Sequence, residues 1–455
     1  MDLRFGMERI KIKELEKWLH APRRKPLIVW GARQVGKTYL VREIFAKRYF
    51  KDFVYIDLKK DEQARAFFST TSDSDKYIKY IDARFGKKLN PETLLIFDEV
   101  QQCHQVISSL KYFCQDHREI PVIATGSLVR LSIKQQDKKS GDDEFLFPVG
   151  KIDSINIYPV SFEEYLLNVN PTLLEMIKDA YSRKMPLENV YHEMAMDLLH
   201  EYLTIGGLPE ALDIFINEKS YADATAVLKE VYANYLGDMD TYNVSNEMIL
   251  KTRNVYKNIF SQLNKENKNF KISLLEKGKS NRDYFSAYEW LELAHVVYRC
   301  HNIKAHVSVP MQEESSGLFR LYLADEGIFT FQSQVNQADF FAKDRRNSLA
   351  GIFYENYTAC EFAAKEIPLF YWTGKQCHEF EFIVYSGGKL YPVDVKKKSG
   401  GLGSLEEFRT LNGKCTAIKI SANNFGYNSD QKILTVPHYA VFLLAQDLKD
   451  GSLEI

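Results

Sequence analysis

The residues best equipped for chemistry lie early in the chain. Gly31-Ala32-Arg33-Gln34-Val35-Gly36-Lys37-Thr38 fits the pattern Gly-x-x-x-x-Gly-Lys-Thr. The glycines let backbone amides turn inward around phosphate oxygens, and a helix starting directly afterwards adds the positive end of its dipole. Lys37 then reaches the β- and γ-phosphates, and Thr38 offers a hydroxyl to Mg²⁺. All eight residues are candidate contacts to ATP, with Mg²⁺ as the accompanying ion. Downstream, the apolar run Leu94-Leu95-Ile96-Phe97 ends in Asp98-Glu99. An acid at the C-terminal edge of a parallel strand stands where ligands bind. Asp98 suits the metal, and Glu99 suits a base that orients the attacking water. Another apolar run, Val122-Ile123-Ala124, ends in Thr125-Gly126-Ser127. Ser127 or Thr125 there would sense the γ-phosphate or hold the water, so Ser127 joins Lys37 and Glu99 as a candidate catalytic residue. Arg33 and Arg130 are either charge-stabilising groups or ordinary solvated arginines.

A second constellation lies near the other end. Glu355 falls on a helical stretch, Glu381 at a strand start, and Asp394 and Lys396 flank Val395 near the end of the next strand. Residues two apart share a strand face, so Asp394 and Lys396 point together. A hairpin through Ser386-Gly387-Gly388 would bring Glu381 beside Asp394. Carboxylates gathered this way would hold Mg²⁺, a hard ion that favours oxygen ligands, and the lysine would position or activate water. This resembles the PD-(D/E)XK restriction-endonuclease-like core, with two departures. The middle acid is Glu381 instead of the usual Asp, and Asp394 stands at the Glu of the ExK strand. Two readings remain open: metal-dependent cleavage, or a core that keeps the fold and only binds DNA. The blander alternative is a solvated acidic strand beside a lysine run.

Four continuous apolar runs, Leu27–Trp30, Phe53–Ile56, Leu94–Phe97 and Val122–Ala124, alternate with helical patterns such as Leu40, Val41, Ile44 and Phe45. That alternation predicts buried parallel strands of an α/β sheet. A further strand is expected near residues 152–157, and the polar run 134–144 reads as a loop. From Ser161 to about Thr241 the pattern is helical, interrupted by Gly206-Gly207-Leu208-Pro209. Residues 250–335 mix helices with a hairpin-like stretch from Val296 to Val307. Lys265, Lys268, Lys271, Lys277, Lys279 and Arg282 crowd there and would contact phosphates or line a solvated face. Cys103, His104, Cys114 and His117 lack a zinc-ligand spacing and read as structural.

Composition narrows the classes. At 455 residues the chain should hold about three domains. Lys and Arg total 60 against 61 Asp and Glu, so any nucleic-acid surface must be local. No apolar stretch is long enough for a membrane span. The N-terminus lacks the apolar segment of a secretory signal, and six cysteines without a framework suit a reducing cytoplasm.

The runs GARQVGKT, LLIFDEVQQC, ATGSL, FPVGKIDSINIYPVSFEEYL and YLTIGGLPEAL, in this order, resemble a group of AAA-type P-loop ATPases with a C-terminal domain of unknown function. The resemblance implies a helical lid in which Gly206 to Pro209 lies near the nucleotide and Pro209 near adenine. It implies a winged-helix module and a nuclease-like C-terminal core as well. The expected organisation is an ATPase core over 1–160, a lid over 161–245, a winged-helix-like module over 246–335 and a PD-(D/E)XK-like domain over 336–455. The expected function is Mg²⁺-dependent ATP hydrolysis whose nucleotide state controls a DNA-associated C-terminal region. The alternatives are an ATP-switched binding module with an inactive nuclease fold, or an ATPase that acts on protein partners. Candidate partners are therefore ATP, DNA and further copies of the chain as a homo-oligomer, with no membrane.

Overall fold

The computed structural model describes residues 6–128, 147–242, 245–314, 317–335, 350–375, 378–396 and 403–454. Arg130 and the run 134–144 lie outside them. Backbone packing divides the chain into two compact units, Arg9–Tyr158 and Pro159–Ile455, the latter together with the residues before Arg9.

In the first unit, helix α1 (Ile12–Leu19) precedes strand β1 (Leu27–Trp30). The chain then turns through the Gly-rich loop into α2, wound as a π-helix over Tyr39–Ala46 and as an α-helix over Lys47–Tyr49. Next come β2 (Asp52–Asp57), α3 (Glu62–Phe68), α4 (Ser74–Phe85), β3 (Thr93–Asp98), α5 (His104–Asp116), β4 (Val122–Thr125) and β5 (Asp153–Asn156). The strands form one sheet in the order β2-β3-β4-β1-β5, every pairing parallel. The apolar runs are continuous because helices cover both faces: all of β1, β3 and β4 is buried. No alternation of apolar and polar residues is needed in strands covered this way. Ile28, Val54, Leu95 and Phe97 share one core with Leu110 and Phe113 of α5. Since β4 lies between β1 and β3, the ends of these three strands adjoin at one edge.

The second unit begins with helices α6 (Phe162–Val169), α7 (Pro171–Ser182), α8 (Asn189–Ile205), α9 (Pro209–Glu218) and α10 (Tyr221–Tyr242). Helices α11 (Asn246–Lys257), α12 (Ile259–Leu263) and α13 (Asn281–Leu293) follow. Strand β6 (Val297–Ile303) pairs antiparallel with β7 (Phe319–Leu323), not with the stretch ending at Val307 that the sequence suggests. After α14 (Glu326–Ser333) and α15 (Ala350–Ala364) come β8 (Phe370–Thr373), β9 (Glu379–Phe380), β10 (Phe382–Ser386) and β11 (Lys389–Val395). The end of the chain supplies α16 (Leu405–Asn412), β12 (Ala417–Ser421), β13 (Gly426–Asn428), β14 (Ile433–Pro437) and α17 (Val441–Asp450). One mixed sheet runs β10-β11-β12-β14-β13, and another runs β7-β6-β8-β9. Only Glu381 separates β9 from β10, so the chain changes sheets at that residue.

Gly206-Gly207 does more than interrupt a helical pattern. The Gly207 amide donates to Asp325 Oδ2 at 2.7 Å, and its carbonyl accepts from Val160 at 2.7 Å. Asp325 also caps α14, its Oδ1 accepting from the Ile328 amide at 3.0 Å. A Cβ on Gly206 would stand 2.2 Å from the Gly327 nitrogen, and one on Gly327 would stand 2.1 Å from the Ile205 carbonyl oxygen. Backbone therefore meets backbone between the end of α8 and the start of α14, and no side chain fits. Gly327→Ala should destabilise the second unit by about 2 kcal/mol or more, because the obstructing atoms are main chain and cannot yield as a side chain would. Urea denaturation followed by tryptophan fluorescence measures this, and an unchanged midpoint would contradict the close approach.

Candidate nucleotide site and a second carboxylate cluster

The loop between β1 and α2 takes positive φ at Gly31 (145°), Gln34 (65°) and Gly36 (86°). Such changes of hand turn neighbouring amides toward one concavity, a shape suited to anions. A Cβ on Gly31 would meet the Ile157 carbonyl oxygen at 2.2 Å, so that position accepts only glycine. Arg9, which sequence reasoning passed over, braces the loop. Its guanidinium is buried and donates to the carbonyls of Val35 (2.9 Å) and Tyr158 (2.8 Å). Within the loop, Gln34 Oε1 is buried without a hydrogen-bond partner among the described residues.

Lys37 is 7% exposed and donates to the carbonyls of Gly31 (3.1 Å) and Ala32 (2.6 Å). Burial brings its ammonium down to about 8, against the opposing pull of Glu99 and Asp98. The Thr38 hydroxyl donates to Asp98 Oδ2 at 2.9 Å. Asp98, at the end of β3, also accepts from the Tyr55 hydroxyl (2.8 Å), the Glu99 amide (2.9 Å) and the Thr125 hydroxyl. Tyr55 comes from the end of β2, paired beside β3, and Arg42 sits 4.5 Å from its ring centre. Burial and the Asp98 charge raise the Tyr55 phenol, so it stays a proton donor. Tyr55 belongs to the site by register alone, which a reading of short motifs does not reveal.

Glu99 takes a left-handed conformation, φ 54° and ψ 43°, at the entry to the turn before α5, and its carboxylate accepts from Gln101 Nε2. A non-glycine residue held in this region stores strain of order 1 kcal/mol, a feature concentrated at functional sites. Ser127 is buried two residues past β4, whereas Thr125 is the group that touches Asp98. The residues Ala32, Arg33 and Val35 complete the loop, Val35 fully buried. Pro209 opens α9 at its first turn, within the second unit. Thr38 and Asp98 present oxygen atoms together, the donor chemistry that Mg²⁺ requires. Cys103 and Cys114 are buried free thiols on or beside α5.

The second cluster assembles differently. Register pairs Phe382 with Val393, which sets Glu381 next to Asp394, and the Val395 amide donates to Glu381 Oε2 at 3.1 Å. Glu355, on α15, accepts at Oε1 from Tyr322 (2.7 Å) and Arg320 (3.2 Å). Its Oε2 accepts from Lys268 at 2.5 Å, and the same ammonium lies 3.4 Å from Glu381 and 3.7 Å from Glu379. Arg320, buried, reaches Glu379 at 2.5 Å. Lys396 lies 2.8 Å from Asp394. Burial, then the adjacent Glu381, raises Asp394. Burial works to raise Glu381 as well, but Lys268, the shared contact with Asp394 and Lys396 hold it low. Lys268, which the sequence assigns with its neighbours either to phosphate contact or to a solvated face, is turned into the protein. Among the described residues, no group of three or more His, Cys, Asp or Glu side chains is arranged to hold a metal ion.

Comparison with known proteins bears on the two regions unequally. Residues 23–166 match the family model of an AAA domain, and residues 196–339 match a domain of unknown function, DUF8612. The uncharacterized protein MJ1637 of Methanocaldococcus jannaschii is 28% identical over 229 residues, 46% of this chain. The chain spans 43% of that relative's length. The Walker-type ATPase PABY2304 of Pyrococcus abyssi is a solved structure that aligns with a TM-score of 0.42 and 16% identity, over 73% of this chain and 99% of its own. The AAA-domain match falls almost wholly on the unit built on the parallel α/β sheet. Among the described residues, no helix is long and apolar enough to cross a membrane.

The two hydroxyls near the end of β4 should separate by substitution. Thr125→Val removes a donor from a buried carboxylate and should cost the first unit about 2 kcal/mol, while Ser127→Ala should stay within about 0.5 kcal/mol. Chemical denaturation of the two variants checks this, and equal effects would contradict the assignment of Thr125 as the Asp98 partner.

Proposed function

We propose that the Arg9–Tyr158 unit binds ATP with Mg²⁺ and hydrolyses it. The observation that carries this reading is the 2.9 Å contact between Thr38 Oγ1 and Asp98 Oδ2, beneath a loop that also presents the Lys37 ammonium. Lys37 would exchange its bonds to the Gly31 and Ala32 carbonyls for phosphate oxygens. Loop residues 31–36 would supply amides, and Thr38 with Asp98 would hold the metal ion. The ion held by Thr38 and Asp98 would supply positive charge against that of the phosphates. Glu99 would orient the attacking water, and Ser127 would stand by the γ-phosphate. Asp98 keeps its place through the hydroxyls of Tyr55 and Thr125, so its carboxylate needs little rearrangement.

For the whole chain, the reading is an ATPase whose nucleotide state controls a DNA-associated C-terminal region. Support for a nuclease-like C-terminal core comes from the order helix α15, strands β10 and β11 antiparallel, helix α16, then β12 parallel to β11. A winged-helix role for residues 246–335, with Lys265, Lys271, Lys277, Lys279 and Arg282 toward phosphates, rests on sequence resemblance and charge. A second reading is favoured by the cations seated on Glu355 and Glu381: an ATP-switched binding module whose nuclease-like fold does not cut. Nicking of supercoiled DNA with Mg²⁺ or Mn²⁺, abolished by Asp394→Ala, would decide for cleavage. The placement of Pro209 near adenine, self-assembly and a cytoplasmic setting belong to this proposal too.

ATP turnover should respond to two substitutions in different ways. Lys37→Ala should lose nucleotide affinity by about 100-fold, as removal of a buried charge-assisted contact does. Glu99→Gln should bind ATP like wild type but hydrolyse it about 100-fold or more slowly, on the order expected for loss of a catalytic base. Equilibrium binding and phosphate-release assays measure both, and wild-type turnover in the two variants would remove the role assignments.

Acidity gives an independent check. The Lys37 ammonium is the phosphate-binding form, and in the free protein burial brings the midpoint of its deprotonation down to about 8. Bound phosphate favours the charged form, so binding takes up a proton above that pH. ATP affinity should be level below about pH 7 and should weaken as pH rises, approaching about tenfold per pH unit. Titrations in buffers of different ionisation enthalpy read the proton uptake directly, and pH-independent affinity from about 7 to 9.5 would exclude a titrating lysine in the cradle.

A further inference from the structure

We propose that Lys268 is the resident cation of the Glu355–Glu381–Asp394 cluster, and that it excludes a divalent ion from these carboxylates. This deepens the second reading above by naming the residue that closes the site. The charge balance supports it. Glu355, Glu379, Glu381 and Asp394 are met by Lys268, Arg320 and Lys396, which leaves one net negative charge among the formally charged groups. A divalent cation added to that set would leave it net positive inside a buried region, an unfavourable arrangement. Without Lys268, the remaining groups would balance a divalent ion in formal charge.

The oxygens of Glu355 and Glu381 lead to the same conclusion. Glu355 Oε1 is taken by Tyr322 and Arg320, and Oε2 by Lys268. Glu381 Oε2 accepts the Val395 amide, and Oε1 faces Lys268 at 3.4 Å. Lys268 thus stands between an acid on α15 and an acid at the junction of two sheets, where a bridging metal would otherwise neutralise both.

The lysine is held there by its own loop. Its neighbour Asn269 is bound through Oδ1 by the Tyr371 hydroxyl at 2.6 Å. The Phe270 amide donates to the Phe319 carbonyl at 2.9 Å, which extends from β7. The Lys271 amide and carbonyl are both held by the Gln262 side chain, at 2.8 and 3.2 Å. Three consecutive residues after Lys268 are therefore anchored, and only 17% of its side chain remains exposed. A loop pinned in this way presents the ammonium as a fixed part of the cluster.

The test uses full-length, metal-stripped, nucleotide-free protein titrated with Mn²⁺, with free Mn²⁺ followed by electron paramagnetic resonance. An Asp98→Asn background removes any contribution from the P-loop site. Wild-type Lys268 should give no Mn²⁺ uptake at the cluster. Lys268→Met should gain one site per chain, with affinity raised about tenfold or more, and Lys268→Met/Glu355→Gln should lose that site again. The double variant removes one charge of each sign, so it is expected to fold even where the single variant does not. Mn²⁺ uptake by the Lys268 protein that disappears on Glu381→Gln would overturn the proposal, as would a folded Lys268→Met protein that gains no site. If Lys268→Met gains no site and wild type also fails to nick DNA, the role of Lys268 is lost while the non-cutting reading stands.

Discussion

Much of the first unit is arranged around one carboxylate. Asp98 closes β3 and collects hydrogen bonds from Thr38, Tyr55, Thr125 and the Glu99 amide. These donors come from the loop after β1, the end of β2, the end of β4 and the turn before α5. They can converge only because β4 is inserted between β1 and β3 and β2 flanks β3 on its other side. Apolar burial builds the sheet, while the polar convergence at its edge fixes how strands, loop and helix meet. An acid left without these donors in a buried edge would be costly, so the strand order and the hydroxyls sustain each other.

Much of this was legible in the sequence because local pattern and tertiary need coincide. Continuous apolar runs mark strands covered on both faces, and the Gly-x-x-x-x-Gly-Lys-Thr run marks a loop with positive φ. The stretch Ser161-Phe162-Glu163-Glu164 is explained by a reciprocal cap, with Ser161 accepting from the Glu164 amide and Glu164 accepting from the Ser161 amide. What escaped was set by register and long-range approach. Tyr55 and Arg9 are ordinary residues until the sheet closes. The Gly206-Gly207 pair reads as a break. Its need for glycine comes from backbone lying against Gly207 at Val160 and against Gly206 at Gly327, the latter far along the chain.

The second unit shows the same limit more sharply. Spacing placed Asp394 and Lys396 on one face, and the hairpin brought Glu381 to Asp394. Local pattern also predicted β6 to turn back by Val307, whereas its partner is Phe319–Leu323 and its other edge accepts β8. Lys268 belongs to a lysine-rich stretch in which no single residue stands out. Its inward turn depends on Tyr371, Phe319 and Gln262, which hold the following residues from three separate elements.

The two carboxylate centres differ in what satisfies them, and that difference has chemical consequences. Asp98 is held by hydroxyls and an amide, neutral donors that orient the group without cancelling its charge. A metal ion held there would displace a neutral donor and no buried cation. Glu355 and Glu381 are held largely by ammonium and guanidinium groups. Those donors orient and neutralise at once, so an arriving divalent ion would have to displace a buried cation and solvate it elsewhere. Gathering acids at one place is thus insufficient for metal chemistry: the partners that hold them must leave the charge uncancelled. By that criterion the edge of the parallel sheet fits the proposed metal–phosphate ligand better than the junction at Glu381, whose acids are ion-paired.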